Sequence, residues 1–257
     1  MLHTIVHGED TAAPPLLIVP GLFGSARNWG VIARNLSARR KVIAVDQRNH
    51  GNSPWFDSHT YPEMAADLAE VIGAEGRACD VLGHSMGGKA AMTLALGDPG
   101  LVNRLIVADV APVPYWHGSY HLGLIAAMRG LKIDDLTSRT EADRRLAQTV
   151  PDAGTRAFLL QSLELRDGPV RWKLNLDALE RCLPDILSWP LPEDTAPYTG
   201  PALFLYGTLS PYVRPESRPV IARLFPKAEF ASVEAGHWLH AERPREVEAA
   251  VEAFLGR

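Results

Sequence analysis

Apolar positions in this chain fall into short unbroken runs: LLIVP at 16–20, KVIAVD at 41–46, DVLGHS at 80–85, RLIVADV at 104–110 and ALFLYG at 202–207. Continuous rather than alternating apolar character predicts strands covered on both faces, as in a parallel sheet flanked by helices. Helical signals lie between the runs. TYPEMAADLAEVIGAEG places Thr60 and Glu63 at capping-box spacing, carries Pro62 in its first turn and ends at Gly73 and Gly76. MGGKAAMTLALGDP predicts a second helix, closed by Gly97 and Pro99.

Strand and helix alternate up to Val110 and resume only at Ala202. Within the gap, Trp172, Leu176, Leu179 and Leu183 recur at helical steps, as do Leu122, Ile125 and Ala126, so an inserted helical lobe is expected rather than a linker. After Ala202 follow a strand, a helix through PESRPVIARLF, a strand through AEFASVEAG and a last helix, RPREVEAAVEAFLG. The expected architecture is α/β: a mostly parallel central sheet flanked by helices, formed by 1–110 and 200–257, with a helical cap at 111–199.

Composition narrows the function classes. The chain has 257 residues, 46% of them apolar, enough for a substantial core. A formal charge of -4, with no basic block interleaved with aromatics, argues against nucleic acid as a partner. The start, MLHTIVHGED, does not read as a secretory leader, and no apolar run reaches the about 18 residues of a membrane span. A soluble, cytoplasmic protein is expected. Cys79 and Cys182 belong to no C-x-x-C pair and are read as packed thiols, without a disulfide or a metal site.

The candidate chemistry begins at Gly83-His84-Ser85-Met86-Gly87, a G-x-S-x-G between a predicted strand and a predicted helix. A serine at so tight a turn takes strained backbone angles, and its neighbours two positions away must be small. The turn lifts the hydroxyl clear of the sheet and sets it at a helix N-terminus, where free N–H groups favour developing negative charge.

In this context the chain resembles the α/β-hydrolase fold family. It is most similar to small esterases with a helical cap, a group that includes bacterial carboxylesterases and a mitochondrial lipid-hydrolase relative. The similar stretches include PGLFGSARNW at 20–29, VDQRNHGNSP at 45–54, LGHSMGGKAAM at 82–92, DVAPVPY at 109–115, WKLNLDAL at 172–179, LYGTLSPYV at 205–213 and AGHWLHAERP at 235–244. They span nearly the whole length.

A serine hydroxyl needs a base. His237 follows the last strand signal, in a Gly-His-Trp loop before the terminal helix, and occupies the base's place in the family's chain order. Of the other histidines, His50 is expected to shape its own loop, His84 to be directed by the turn and His240 to cap a helix. The acid is less direct, because the loop after LFLYG, where most of the family places it, offers Ser210 instead. The preceding core strand ends in Asp109, on the same sheet edge as Ser85, and a carboxylate closing an apolar strand needs hydrogen-bond donors. The capped-esterase subgroup likewise carries its acid on this earlier strand, with a serine in the later loop. Asp109 is therefore the expected acid and Ser210 an added partner; a turn-capping role for Asp109, and Asp177 as a rival acid, stay open.

The oxyanion donors are expected from the amides of Met86 and of Leu22, or Phe23, although Pro20-Gly21 replaces the usual His-Gly of the family and the loop must be braced differently. Phe23, Tyr115, Trp116, Met128, Trp172 and Trp238 are the candidate pocket walls. Arg48 is read as a solvated or loop-bracing charge. The implied activity is serine carboxylesterase on a small-molecule ester of short or medium acyl chain, with no cofactor. A thioesterase, lactonase or perhydrolase could use the same residues, as could, more remotely, a ligand-binding protein without turnover.

Overall fold

In a computed structural model, the described residues are 1–116, 118–165 and 169–256. The strands are β1 Thr4–His7, β2 Leu16–Val19, β3 Val42–Val45, β4 Cys79–His84, β5 Val102–Ala108, β6 Leu163–Glu164, β7 Arg171–Trp172, β8 Ala202–Gly207 and β9 Ala228–Val233. The α-helices are α1 Gly30–Leu36, α2 Tyr61–Glu75, α3 Met86–Gly97, α4 Gly118–Gly130, α5 Arg139–Leu146, α6 Ala153–Leu159, α7 Leu176–Arg181, α8 Leu183–Leu187, α9 Arg218–Leu224, α10 Leu239–Glu242 and α11 Pro244–Leu255.

Seven strands form one sheet in the order β1-β3-β2-β4-β5-β8-β9. All neighbours are parallel except β1, which pairs antiparallel with β3. The five apolar runs are its β2, β3, β4, β5 and β8. Strand β1 was not legible as a strand in the sequence, because its four residues TIVH lie on an edge and are largely half-buried, leaving no apolar signature.

Although the runs are apolar throughout, alternate residues face opposite layers. Leu16, Ile18, Leu82, Ile106, Leu203 and Leu205 pack with α1 and α11 in one apolar cluster. Leu17, Val19, Val81, Leu105, Val107 and Phe204 belong to a second, with α2, α3 and α9. The helix over 61–75 has the expected capping box, formed by Thr60 and Glu63, and ends on Gly76 in the left-handed conformation at φ 68°.

Between β5 and β8 the chain runs through α4 to α8 and the antiparallel β6–β7 pair. The sequence pattern predicts only helices here, since a pair of two-residue strands leaves no periodicity to read. Ile125, Met128, Trp172 and Leu179 of this stretch join the same apolar cluster as Met86 and Val110, so it shares its core with the α2/α3 face of the sheet. Among the described residues, no helix is long and apolar enough to cross a membrane.

Candidate active site

Strand β4 ends at His84 and α3 begins at Met86, so Ser85 alone makes the turn, at φ 54° and ψ −122°. That conformation costs a non-glycine residue about 1–3 kcal/mol and persists only where its surroundings enforce it. Here Ser85 N–H donates to the Ala108 carbonyl at 2.9 Å, and Lys89 N–H donates to the Ser85 carbonyl at 3.1 Å. The flanking glycines are sterically required. A Cβ on Gly83 would lie 2.3 Å from the Gly87 carbonyl oxygen, and one on Gly87 2.3 Å from that of Val19.

His237, in the loop after β9, brings Nε2 to 3.0 Å from Ser85 Oγ and Nδ1 to 2.7 Å from Asp109 Oδ2. Asp109 follows the last residue of β5 at φ 52° and is fully buried. Its carboxylate also accepts from Gly207 N–H at 3.0 Å and from the Ser210 hydroxyl, which in turn accepts from Tyr212 N–H at 3.3 Å. A buried carboxylate with no donors would be strongly disfavoured, and three donors on its oxygens offset that cost. The loop that lacks an acid thus points a serine hydroxyl at the acid of the neighbouring strand. Asp177, the rival, is an exposed residue paired with Arg129.

Burial lowers the pKa of three other histidines near this site, His50, His84 and His240. Burial, with the charge repulsion of His237 second, pushes His240 down to about 3. Its ring stacks on Trp29 at 4.4 Å rather than capping a helix. Burial also holds His84 well below its usual range, and its Nε2 lies 2.8 Å from the His237 carbonyl, so it donates there and fixes the loop that carries His237. His50, lowered to about 4 chiefly by burial, gives its Nδ1–H to the Arg48 carbonyl at 2.9 Å, which leaves Nε2 as an acceptor.

That acceptor organises the loop opposite Ser85. Phe23, at φ 63°, donates its N–H to His50 Nε2 at 3.1 Å. Ser162 Oγ donates to the Phe23 carbonyl at 2.9 Å, and Gln47 Nε2 to the Pro20 carbonyl at 2.7 Å. These three contacts are the alternative bracing that Pro20 demanded. Of the two amides left open by the sequence, that of Phe23 is engaged by His50. Arg48 is not solvated; it is buried, bonded to Asp67 and Glu63, and ties its loop to α2.

Two cavities meet at Ser85 and share Leu22, His121 and Tyr212 as walls. The larger, about 60 Å³, runs past Phe23, His237 and Trp238 toward Trp29 and His240. The smaller, about 30 Å³, runs past Met86 and Tyr115 to Lys89. Phe23, Tyr115 and Trp238 therefore stand where pocket walls were expected.

Three other candidates do not. Met128 is fully buried, and Trp172 donates its indole N–H to the Met128 carbonyl at 2.9 Å, so both belong to the packing of the inserted stretch. Their helical periodicity was that of core. Trp116 is 87% exposed and lines a surface groove with Pro211 and Arg214 that Ser85 does not border. Sequence reasoning missed Tyr212, whose ring stacks on His237 at 4.1 Å, and Phe158, which packs on Trp238 at 5.3 Å. Tyr212 lies two residues from Ser210, in the loop already singled out; nothing in the sequence marks Phe158.

Residues 16–250 match the alpha/beta hydrolase family. The chain is 43% identical to an sn-1-specific diacylglycerol lipase, ABHD11, of Xenopus laevis, over 97% of this chain and 82% of that protein. It is 37% identical to the esterase YbfF of Escherichia coli, over 94% and 92% of the two chains. Among solved structures, that of a marine microorganism esterase superposes with a TM-score of 0.93 at 37% identity, covering 98% of each chain. A family match across nearly the whole sheet and its insertion, a relative of this similarity and the strand-serine-helix turn at Ser85 agree: the chain belongs to the alpha/beta hydrolase family.

Proposed function

We propose that the chain is a serine carboxylesterase for esters of short to medium acyl chain. The observation that carries this reading is the unbroken hydrogen-bonded run from Ser85 through His237 to Asp109. As His237 Nε2 takes the hydroxyl proton, Ser85 Oγ attacks the ester carbonyl carbon. The carbonyl π pair moves to oxygen, and the amides of Met86 and Leu22 face the resulting oxyanion. Collapse expels the alcohol, which leaves with the proton held by His237. Water then repeats the sequence on the acyl-enzyme, releasing the acid and restoring Ser85.

Asp109 holds the imidazole in the tautomer with Nδ1 protonated and stabilises the imidazolium, while Ser210 positions Asp109. The segment 111–199 acts as a cap whose residues close the two cavities. Since the leaving alcohol must reach His237, it occupies the larger cavity and the acyl group the smaller. Free buried thiols at Cys79 and Cys182 suit a reducing compartment, and we assign the protein to the cytoplasm.

The test is a series of 4-nitrophenyl esters of rising acyl length, assayed on wild type and Ser85→Ala together with fluorophosphonate labelling. Turnover is expected to be greatest from acetate to hexanoate and absent in the variant, with Ser85 labelled. An unlabelled Ser85 would favour a binding protein, and a strict preference for thioesters would change the substrate class.

A further inference from the structure

The smaller cavity ends on a lysine that the mechanism above does not use. Lys89 lies one helical turn beyond Ser85 on α3 and is 1% exposed. Its ammonium donates to the carbonyls of Ser188 at 2.5 Å and Leu187 at 3.3 Å, at the C-terminal end of α8. It lies over the rings of Tyr115 at 4.7 Å and Tyr61 at 5.6 Å. Among the described residues, no carboxylate lies within ion-pair distance of it, and burial lowers its pKa to about 7. Buried charges are ordinarily paired with an opposite charge, and a lone one is costly. Two carbonyls and two aromatic faces offset that cost in part and occupy two of the three N–H donors.

The position of this cation is defined by the reaction. The oxyanion faces the amides of Leu22 and Met86, and the leaving oxygen faces His237, which lines only the larger of the two cavities. The smaller cavity, bounded by Met86, Tyr115, Ile186 and Leu187, receives what remains of the ester, the acyl chain. One turn of α3 separates Lys89 from Ser85, a rise of about 6 Å, comparable to the length of a four-carbon acyl group.

Resting on the esterase reading, we propose that Lys89 is a specificity-determining residue whose ammonium binds the terminal carboxylate of the acyl group, so that the preferred substrates are monoesters of short dicarboxylic acids. The carboxylate supplies the charge that the burial site lacks, in a setting where a charge-assisted hydrogen bond is about twice as strong as a neutral one. Methyl-terminated acyl groups of equal length leave the ammonium without a counter-charge.

The test compares monomethyl succinate with methyl butyrate, which differ only in carboxylate against methyl at the chain end, by following acid release from wild type and Lys89→Met. Wild type is expected to favour monomethyl succinate at least tenfold in kcat/KM, and Lys89→Met to lower that ratio at least a hundredfold, mainly through KM for the diacid monoester. A wild type that prefers methyl butyrate overturns the proposal. So does a Lys89→Met variant in which both esters fall by the same factor, since that is the signature of a tie to α8 alone. Should the variant not fold, the wild-type ratio decides by itself. If neither ester is turned over, the esterase reading fails separately; calorimetry with Ser85→Ala then decides the subsite, tighter binding of monomethyl succinate supporting it and equal or weaker binding overturning it.

Discussion

Asp109 and His237 are 128 residues apart in sequence, yet the carboxylate Oδ2 of one lies 2.7 Å from Nδ1 of the other. The aspartate is fully buried and rides on β5, whereas the histidine sits in a loop after β9. Asp109→Asn keeps the shape of the side chain and removes its charge. Folding is expected to survive, with kcat lower by about 10³ to 10⁴. Asp177→Asn, on the exposed surface, should stay within twofold of wild type; the reverse pattern in steady-state kinetics would relocate the acid.

The Ser210 hydroxyl donates to the Asp109 carboxylate and makes no hydrogen bond to Ser85 or His237 among those described. Ser210→Ala removes a hydrogen bond to a charged group, expected to cost about 1.5–3 kcal/mol in chemical denaturation. Its kcat loss should be far smaller than that of Asp109→Asn. Equal losses would make the serine an equal partner.

His50 acts at a distance from the reaction by holding Phe23 N–H. His50→Ala leaves that amide without its acceptor, a loss of about 1–3 kcal/mol in stability. As the loop bearing Leu22 loosens, kcat should fall by about tenfold or more with little change in KM, because the proposed role of the Leu22 amide is to act on the transition state. A rise in KM alone would remove Leu22 from the oxyanion site.

Trp172 separates packing from binding. Trp172→Ala empties a buried site and is expected to cost about 3–5 kcal/mol, seen as a lower Tm. KM for short esters should remain within about twofold in the folded variant. A large specific rise in KM would return Trp172 to the pocket.

Four buried histidines make the fold acid-sensitive: His50, His59, His84 and His240. Burial lowers all four below the ordinary 6.5, to about 4 for His50 and about 3 for His240. Below pH 6.5 the unfolded chain binds protons at these sites and the folded protein does not, so stability is intact above that pH and falls as pH drops. Each site contributes up to about 1.4 kcal/mol per pH unit, until its own folded pKa is reached. The Tm measured from pH 8 to pH 4 should therefore be flat and then descend steeply below 6.5. A Tm unchanged down to pH 4.5 would contradict it.

Much of the fold was legible because buried parallel strands write themselves as unbroken apolar runs, and β2 to β5 and β8 all did so. The edge strand β1 and the short β6–β7 pair were not, since half-buried or two-residue strands carry no such signature. Ser85 was legible from local sterics alone, because the glycines at 83 and 87 are needed within one turn. Pocket walls were a different matter. Met128 and Trp172 carry the same apolar pattern whether they face a cavity or each other, and only packing decides which.

The sequence by itself determined the elements and the residue types able to do this chemistry: a strand-serine-helix turn, a histidine after the last strand signal, and an aspartate closing an apolar strand. Those are local properties, set by backbone sterics and burial pattern. Tertiary structure alone decided that the Ser210 hydroxyl meets the Asp109 carboxylate of another strand, that His50 claims the Phe23 amide, and that the Lys89 ammonium lines the smaller cavity at Ser85. Each of these depends on which groups meet across the sheet edge, and such meetings are fixed by strand order and loop closure rather than by neighbours in the chain.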